Sequence, residues 1–212
     1  MKIELKNIHH SKQLSQETEA FTANLYINGR HAGYVENEGH GGATNYMHKD
    51  ERGRELIREA EAYCKTLPPK EYPADEHMEA FSVDMDLENY IDDLLSKHLE
   101  KKEQIRFDAK LKAATEKGIV YGVSGDYFMG ISYSMPLAQV LAHPKGPEVI
   151  HRALVEKVLP KLGEGKILNT NIPEHIMLAA GVKEGQYVKP DSATAGVGRE
   201  QSESDVSKGR GR

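Results

Sequence analysis

The dipeptide Asn28-Gly29 constrains the fold of this chain more than any other feature of its sequence. Asn followed by Gly is the pair best able to adopt the two positive φ angles of a type I′ turn, which joins the strands of a tight β-hairpin. Apolar and polar residues alternate before it at 21–27, and the chain returns through residues 32–35. Residues 3–6 alternate in the same way, as a half-buried strand does. We therefore predict a three-stranded antiparallel meander at the N-terminus.

The apolar period then changes to the spacing that is typical of amphipathic helices. It predicts one helix over residues 49–67, which Pro68-Pro69 ends because proline lacks the backbone donor that a helix needs. A second helix is predicted over residues 87–116, with Asp84 or Asp86 as its N-cap.

A second β-hairpin is predicted over residues 119–133, turning at Ser124-Gly125-Asp126. Pro147 is placed in the first turn of a C-terminal helix, where its fixed φ angle is favourable. These elements together predict an α+β fold in a single domain over residues 1–187, with a sub-boundary near residues 68–81.

The composition limits where the chain works and what it binds. Residues 188–212 are rich in serine, glycine and charge, which predicts a disordered polar tail. No apolar run approaches the ~20 residues that a membrane helix needs, and Cys64 is the only cysteine, so we expect a soluble cytoplasmic protein. The net charge of −5 argues against nucleic-acid binding by the whole surface.

The segment Gly39-His40-Gly41-Gly42 is the candidate ligand site. Glycines let a backbone approach a phosphate closely, and histidine can bind or transfer a proton near neutral pH. The spacing matches neither a P-loop nor a dinucleotide-binding fingerprint. An irregular turn at the exit from the sheet explains the same residues without a ligand.

The sequence gives weaker evidence for a metal site and for a catalytic nucleophile. His31, His40 and His48 could converge around the meander, but no His-x-x-His pair preorganises them and no cysteine accompanies them. Cys64 lies on an apolar helix stripe, and Ser124 lies in a hairpin turn without the Gly-x-Ser-x-Gly pattern. We therefore predict no metal, no cofactor and no catalytic residue.

Charge is distributed unevenly around the second helix. No Lys or Arg occurs between Lys70 and Lys97, whereas acidic residues accumulate there and basic residues follow. Part of this order complements the helix dipole, and a solvated face would explain the rest. The alternative is a docking surface for a basic protein partner, for which the candidate residues are Asp84, Asp86, Glu88, Asp92 and Asp93.

The segment from Glu17 to Gly42, which runs through the hairpin into the Gly-His-Gly-Gly loop, resembles the start of an uncharacterised family of short bacteriophage and prophage proteins. In that family an N-terminal meander ends in such a loop, and a charged helical region, a hairpin and a helix follow. Residues 118–162 have the same order of elements. The resemblance implies an accessory protein of a mobile element and supplies no catalytic residue.

Three functional hypotheses follow. The first is a non-enzymatic phage or mobile-element accessory protein that binds a host or viral macromolecule, with inhibition of a host defence system as one form. The second is a small-molecule or nucleotide-binding protein, or a small enzyme, that uses the loop Gly39–Gly42. The third is a homo-oligomeric structural protein.

Overall fold

The computed structural model describes residues 1–74 and 78–190, so most of the predicted polar tail and the acidic residues at 75 and 76 lie outside the described part. The strands are β1 Ile3–His10, β2 Phe21–Ile27, β3 Arg30–Asn37, β4 Asn45–His48, β5 Lys70–Tyr72, β6 Phe81–Val83, β7 Gly118–Val123, β8 Tyr127–Ser132 and β9 Lys166–Ile167. The α-helices are α1 Glu51–Cys64, α2 Leu87–Lys117, α3 Leu137–Ala142, α4 Gly146–Ala153 and α5 Glu174–Ala179. A π-helical turn at Leu154–Val158 and a 3₁₀ turn at Leu159–Lys161 follow α4. The predicted α+β class is confirmed.

The N-terminal sheet is antiparallel in the order β1-β2-β3-β4. Asn28 and Gly29 have φ angles of 49° and 79°, as the predicted turn requires. The meander has four strands rather than three. Strand β4 has only four residues and is mostly exposed. Its residues show no alternation of apolar and polar side chains from which a strand could be predicted. Its close approach depends on Gly33, where a Cβ atom would lie 2.0 Å from the carbonyl oxygen of Met47.

One face of this sheet forms a core with α1 and the first turns of α2. Leu25 and Ile27 of β2 are fully buried there, as are Ala60 and Cys64 of α1 and Ile91 of α2. The core forms because the apolar residues of each element repeat at its own period, two along the strands and 3.6 along the helices.

The centre of the chain contains a strand pair that the sequence did not predict, together with the predicted second helix. The Pro-containing connection at 68–81 contains the hairpin β5–β6, in which the rings of Tyr72 and Phe81 stack at 4.7 Å. The helix α2 runs unbroken for 31 residues, with Asp86 as the N-cap whose Oδ1 accepts from the Asn89 amide at 2.7 Å. Gly118 opens β7, where a Cβ would lie 1.9 Å from the Ile131 carbonyl oxygen.

The chain divides into two compact units, Met1–Lys102 and Glu103 onward. This division falls within α2 and away from the predicted sub-boundary, and the predicted single domain over 1–187 stays a prediction. The second unit contains the sheet β8-β7-β9, which confirms the second hairpin. Pro147 lies in the first turn of α4, as predicted, whereas α3 was not predicted.

No helix in residues 1–74 and 78–190 combines the length and the apolar character that crossing a membrane requires.

Candidate functional site

The loop Gly39–Gly42 leaves the end of β3 and is organised by Asn37, whose side chain is buried. The Oδ1 atom of Asn37 accepts from the Gly39 amide at 2.8 Å and from the Thr18 hydroxyl at 2.9 Å. Its Nδ2 atom donates to the Gly42 carbonyl at 3.0 Å. A single amide side chain therefore ties both ends of the loop to the sheet.

Four polar backbone atoms of the loop form hydrogen bonds within the chain. The Gly41 amide donates to the Thr18 hydroxyl at 3.3 Å, and the Gly39 carbonyl accepts from the amides of Gln16 and Glu17 at 2.9 and 3.2 Å. Gly39 also has a φ angle of +87°, which strains any residue with a Cβ. A phosphate would have to compete with these bonds, so the loop is not an open anion cradle of the kind that glycine-rich sites provide.

The structure brings the two predicted sites together at Thr44, just beyond the loop. The buried Thr44 hydroxyl donates to Asp92 Oδ1 at 2.7 Å, and the Thr44 amide donates to Glu88 Oε1 at 3.0 Å. Burial raises the pKa of Asp92 above its ordinary value, although the hydrogen bond from Thr44 opposes the shift. These two acids of α2 therefore hold the loop exit against the helix.

The other predicted acidic residues differ in their surroundings. Asp93 forms an ion pair with Lys70, and Asp86 caps α2. Asp84 is exposed, and its backbone carbonyl accepts from the Asn89 side chain at 3.3 Å. Four of the five candidate carboxylates thus have partners in the chain, and their role in partner binding stays a prediction.

Of the three histidines proposed as converging ligands, His31 lies near the start of β3, and His48 pairs with Gly33 of the same strand. The His31 ring stacks on Tyr26 and meets Tyr34 edge-on, both at 5.1 Å between centroids, and its Nε2 donates to the Gly33 carbonyl at 3.0 Å. His40 lies beyond the opposite end of β3 from His31. Across residues 1–74 and 78–190, no three His, Cys, Asp or Glu side chains form a group able to hold a metal ion.

The lone thiol is fully buried on α1. Burial, with a smaller contribution from Asp86, raises the pKa of Cys64 to about 11. A thiol in this state is protonated near neutral pH and is a poor nucleophile.

The surface that sequence reasoning missed is the face of the N-terminal sheet opposite the helices, which we call the outer face. A row of side chains crosses it: Lys6 Nζ lies 4.2 Å from the Tyr26 ring centroid, Tyr26 stacks on His31, and His31 meets Tyr34. Tyr34 pairs with Met47 of β4, and the two are 46% and 54% exposed. We call Lys6, Tyr26, His31, Tyr34 and Met47 together the aromatic row. The sequence signal for this surface is tyrosine, at Tyr26 and Tyr34, in positions where the alternation of β2 and β3 predicts polar residues.

Two adjoining grooves lie beside the aromatic row and share His9, Thr22 and Glu36. The larger, of about 470 Å³, is lined by Asn7, His9, Thr22, Ala23, Asn24, Tyr34, Val35 and Glu36. The smaller, of about 350 Å³, is lined by His9, Ser11, Leu14, Ala20, Phe21, Thr22, Glu36, Asn37, Glu38 and His40. The register of β1 shifts between Lys6 and His9, and Asn7 has a φ angle of 52°, so a β-bulge shapes the wall of the larger groove.

The resemblance to short phage proteins stays a prediction. No family model, curated protein or solved structure matches this chain.

Proposed function

We propose that this chain is a non-enzymatic binding protein that recognises a protein partner through the outer face of its N-terminal sheet. The observation that carries the proposal is the aromatic row, in which Tyr34 and Met47 remain about half exposed. Aromatic residues and methionine are enriched at protein interfaces, where they supply much of the binding free energy. The rings also contact one another, so less side-chain entropy is lost on binding.

The charges on the outer face favour a protein over a nucleic acid. Lys6 has Glu4 on the same face of β1, and Glu36 follows Tyr34 on the same face of β3. A nucleic-acid site needs clustered positive charge to displace the counterions of the phosphates. An outer face with both signs of charge around apolar rings is typical of a protein interface.

The resemblance to phage proteins supports a more specific form of this proposal. The chain would act as a mobile-element accessory protein whose partner is a host or viral protein, and a host defence component is the first class to test. The raised pKa of the buried Cys64 thiol argues against this residue as a nucleophile.

Affinity capture with the full chain tests the proposal. The immobilised wild type is compared with a Tyr34→Ala/Met47→Ala double variant in lysate of the cells that express the gene. Captured candidates are then purified and their dissociation constants measured. We expect the double variant to weaken binding at least tenfold, which corresponds to about 1.4 kcal/mol.

Two matched controls locate the site. Leu178→Ala removes a side chain that is 52% exposed on α5, and Asp84→Lys reverses the exposed acid of the predicted acidic patch. Both should bind the partner as the wild type does. Equal affinity of the double variant and the wild type would refute the outer face as the site, and loss of binding by Asp84→Lys alone would assign binding to the acidic patch.

A second candidate is a small-molecule site in the smaller groove, because His40 lines it together with His9 and Glu36. Its volume of about 350 Å³ lies within the range of ligand pockets. The test is a thermal-shift screen against nucleotides and divalent ions, since a ligand that binds the folded state raises the melting temperature. An equal shift in a His40→Ala variant, or none in the wild type, would remove this candidate.

A further inference from the structure

Strand β8 (Tyr127–Ser132) forms an edge of the sheet in the second unit, whose order is β8-β7-β9. Its register with β7 is continuous from Gly118↔Ser132 to Val123↔Tyr127, without a bulge. An edge strand presents unpaired backbone donors and acceptors to any strand that can approach it.

The protective features of natural edge strands are missing from β8. No Asp, Glu, Lys or Arg occurs from Tyr127 to Ala142, in a chain that is 29% charged. Pro136, the proline of this stretch, comes after the strand ends. The edge strand β1 of the N-terminal sheet differs, since it carries Lys6 and a bulge at Asn7. Edge lysines and bulges are devices that prevent strand pairing.

Large apolar side chains are exposed along β8 and beside it. Tyr127 and Met129 are 48% and 46% exposed, and Met135 just beyond the strand is 47% exposed. Val123, which pairs with Tyr127, adds a further exposed side chain at 38%. Exposed apolar groups that adjoin an open edge mark an association surface.

The hydrogen bonding shows which backbone groups point outward. The Tyr133 amide donates to the Lys117 carbonyl at 2.9 Å, and pairs along an antiparallel ladder alternate between bonded and non-bonded. The odd-numbered residues of β8 therefore bond to β7, and Phe128, Gly130 and Ser132 direct their amides and carbonyls outward. Within residues 1–74 and 78–190, none of these three takes part in a backbone hydrogen bond outside the sheet ladder.

We propose that β8 pairs with β8 of a second copy of this chain, antiparallel and about a two-fold axis at Gly130. This register uses all three outward residues, because Gly130 opposes Gly130 and Phe128 opposes Ser132. The two three-stranded sheets become one continuous sheet, and Met129 of each copy opposes Ile131 of the other.

The neutrality of β8 identifies the occupant. A two-fold interface places the same strand on both sides, so any charge on the strand would face a like charge nearby. An uncharged strand meets itself without that repulsion. A charged peptide would find no opposite charge on β8 to pair with, whereas a second copy brings an apolar edge that matches it.

Sedimentation equilibrium of the full chain over a protein concentration series tests the proposal. We expect the wild type to approach twice the single-chain mass of 23.6 kDa. Met129→Lys places two like charges on diagonal positions beside the axis and should raise the dissociation constant at least tenfold. Ser132→Pro should have a similar effect, because it removes an outward donor without breaking a bond to β7.

Leu178→Lys is the matched control, since it introduces the same charge at an exposed apolar site on α5 and should leave the dimer intact. Circular dichroism and the melting temperature establish that each variant is folded, and the two β8 variants act through different atoms. A wild type that stays at the single-chain mass overturns the proposal. A dimer that survives both variants, or growth beyond two copies, also overturns it, because a two-fold interface closes at two.

Discussion

Replacement of Asp92 tests whether the acidic start of α2 serves the fold. The carboxylate of Asp92 accepts from the hydroxyl of Thr44, which is 4% exposed, and that hydroxyl also accepts from Asn37 Nδ2 at 3.1 Å. Asp92→Ala removes the acceptor and leaves a buried donor without a partner. Asp92→Asn keeps an acceptor oxygen in place and removes the negative charge.

The two substitutions should differ in sign or in size. A buried donor that loses its acceptor costs about 1–3 kcal/mol, so we expect Asp92→Ala to lower the free energy of unfolding by that amount. Asp92→Asn should match or exceed the wild type at pH 7, because it avoids the cost of burying a charge. Asp84→Ala is the control, and as an exposed residue it should change stability by less than about 0.5 kcal/mol.

The pH dependence follows from the direction of the pKa shift. Burial raises the pKa of Asp92 in the folded state above its unfolded value. The protonated group therefore contributes stability below the unfolded pKa, and that contribution is lost as pH rises through the folded pKa. The advantage of Asp92→Asn over the wild type should grow with pH across this interval and then stay constant.

Urea unfolding followed by circular dichroism measures these differences, and hydrogen exchange of the β2 and β3 amides confirms that the loss arises in the first unit. Equal destabilisation by alanine and asparagine would refute the hydrogen-bonding argument. No destabilisation by either variant would mean that the carboxylate is not needed for the fold, and would return Asp92 to the predicted partner-binding patch.

Three further predictions concern single groups in the first unit. Gly39→Ala should destabilise the chain by at least about 1 kcal/mol in urea unfolding, because its φ angle is +87° and a Cβ would lie 2.4 Å from a carbonyl oxygen. Gly42→Ala, with nothing within 4 Å of its Cβ, should be nearly neutral, and equal effects would contradict the steric account. Cys64 should react with a thiol reagent far more slowly in the native chain than in urea, since it is fully buried and its pKa is raised to about 11. The hydrogen bond from His10 lowers the pKa of Glu19, so its contribution to stability should be present above the unfolded pKa and fall away as pH drops through the folded pKa. A carboxyl NMR titration that gives Glu19 an ordinary pKa would disprove this.

Features that depend on neighbouring residues could be predicted from the sequence. The turn at Asn28-Gly29 needs two positive φ angles, and those two residue types supply them wherever they occur between strands. Asp86 was one of two predicted N-caps, and Pro147 was predicted in the first turn of its helix. The hairpin around Ser124 likewise followed from a short turn between two apolar runs. In each case the physical cause acts over a few residues, so the sequence contains it.

The candidate sites depended on contacts between distant parts of the chain. Thr44 and Asp92 are 48 residues apart, and nothing in either segment indicates that one holds the other. The sequence predicted the glycine loop and the acidic stretch as separate sites, whereas the structure joins them at Thr44. The sequence alone determined the α+β class, the turns at Asn28-Gly29 and Ser124-Gly125, and the starts of α2 and α4. Only the tertiary structure decided which carboxylates form hydrogen bonds or ion pairs within the chain and which aromatic rings stay exposed. Residue type determines what a side chain can bond to, whereas packing determines which groups it contacts.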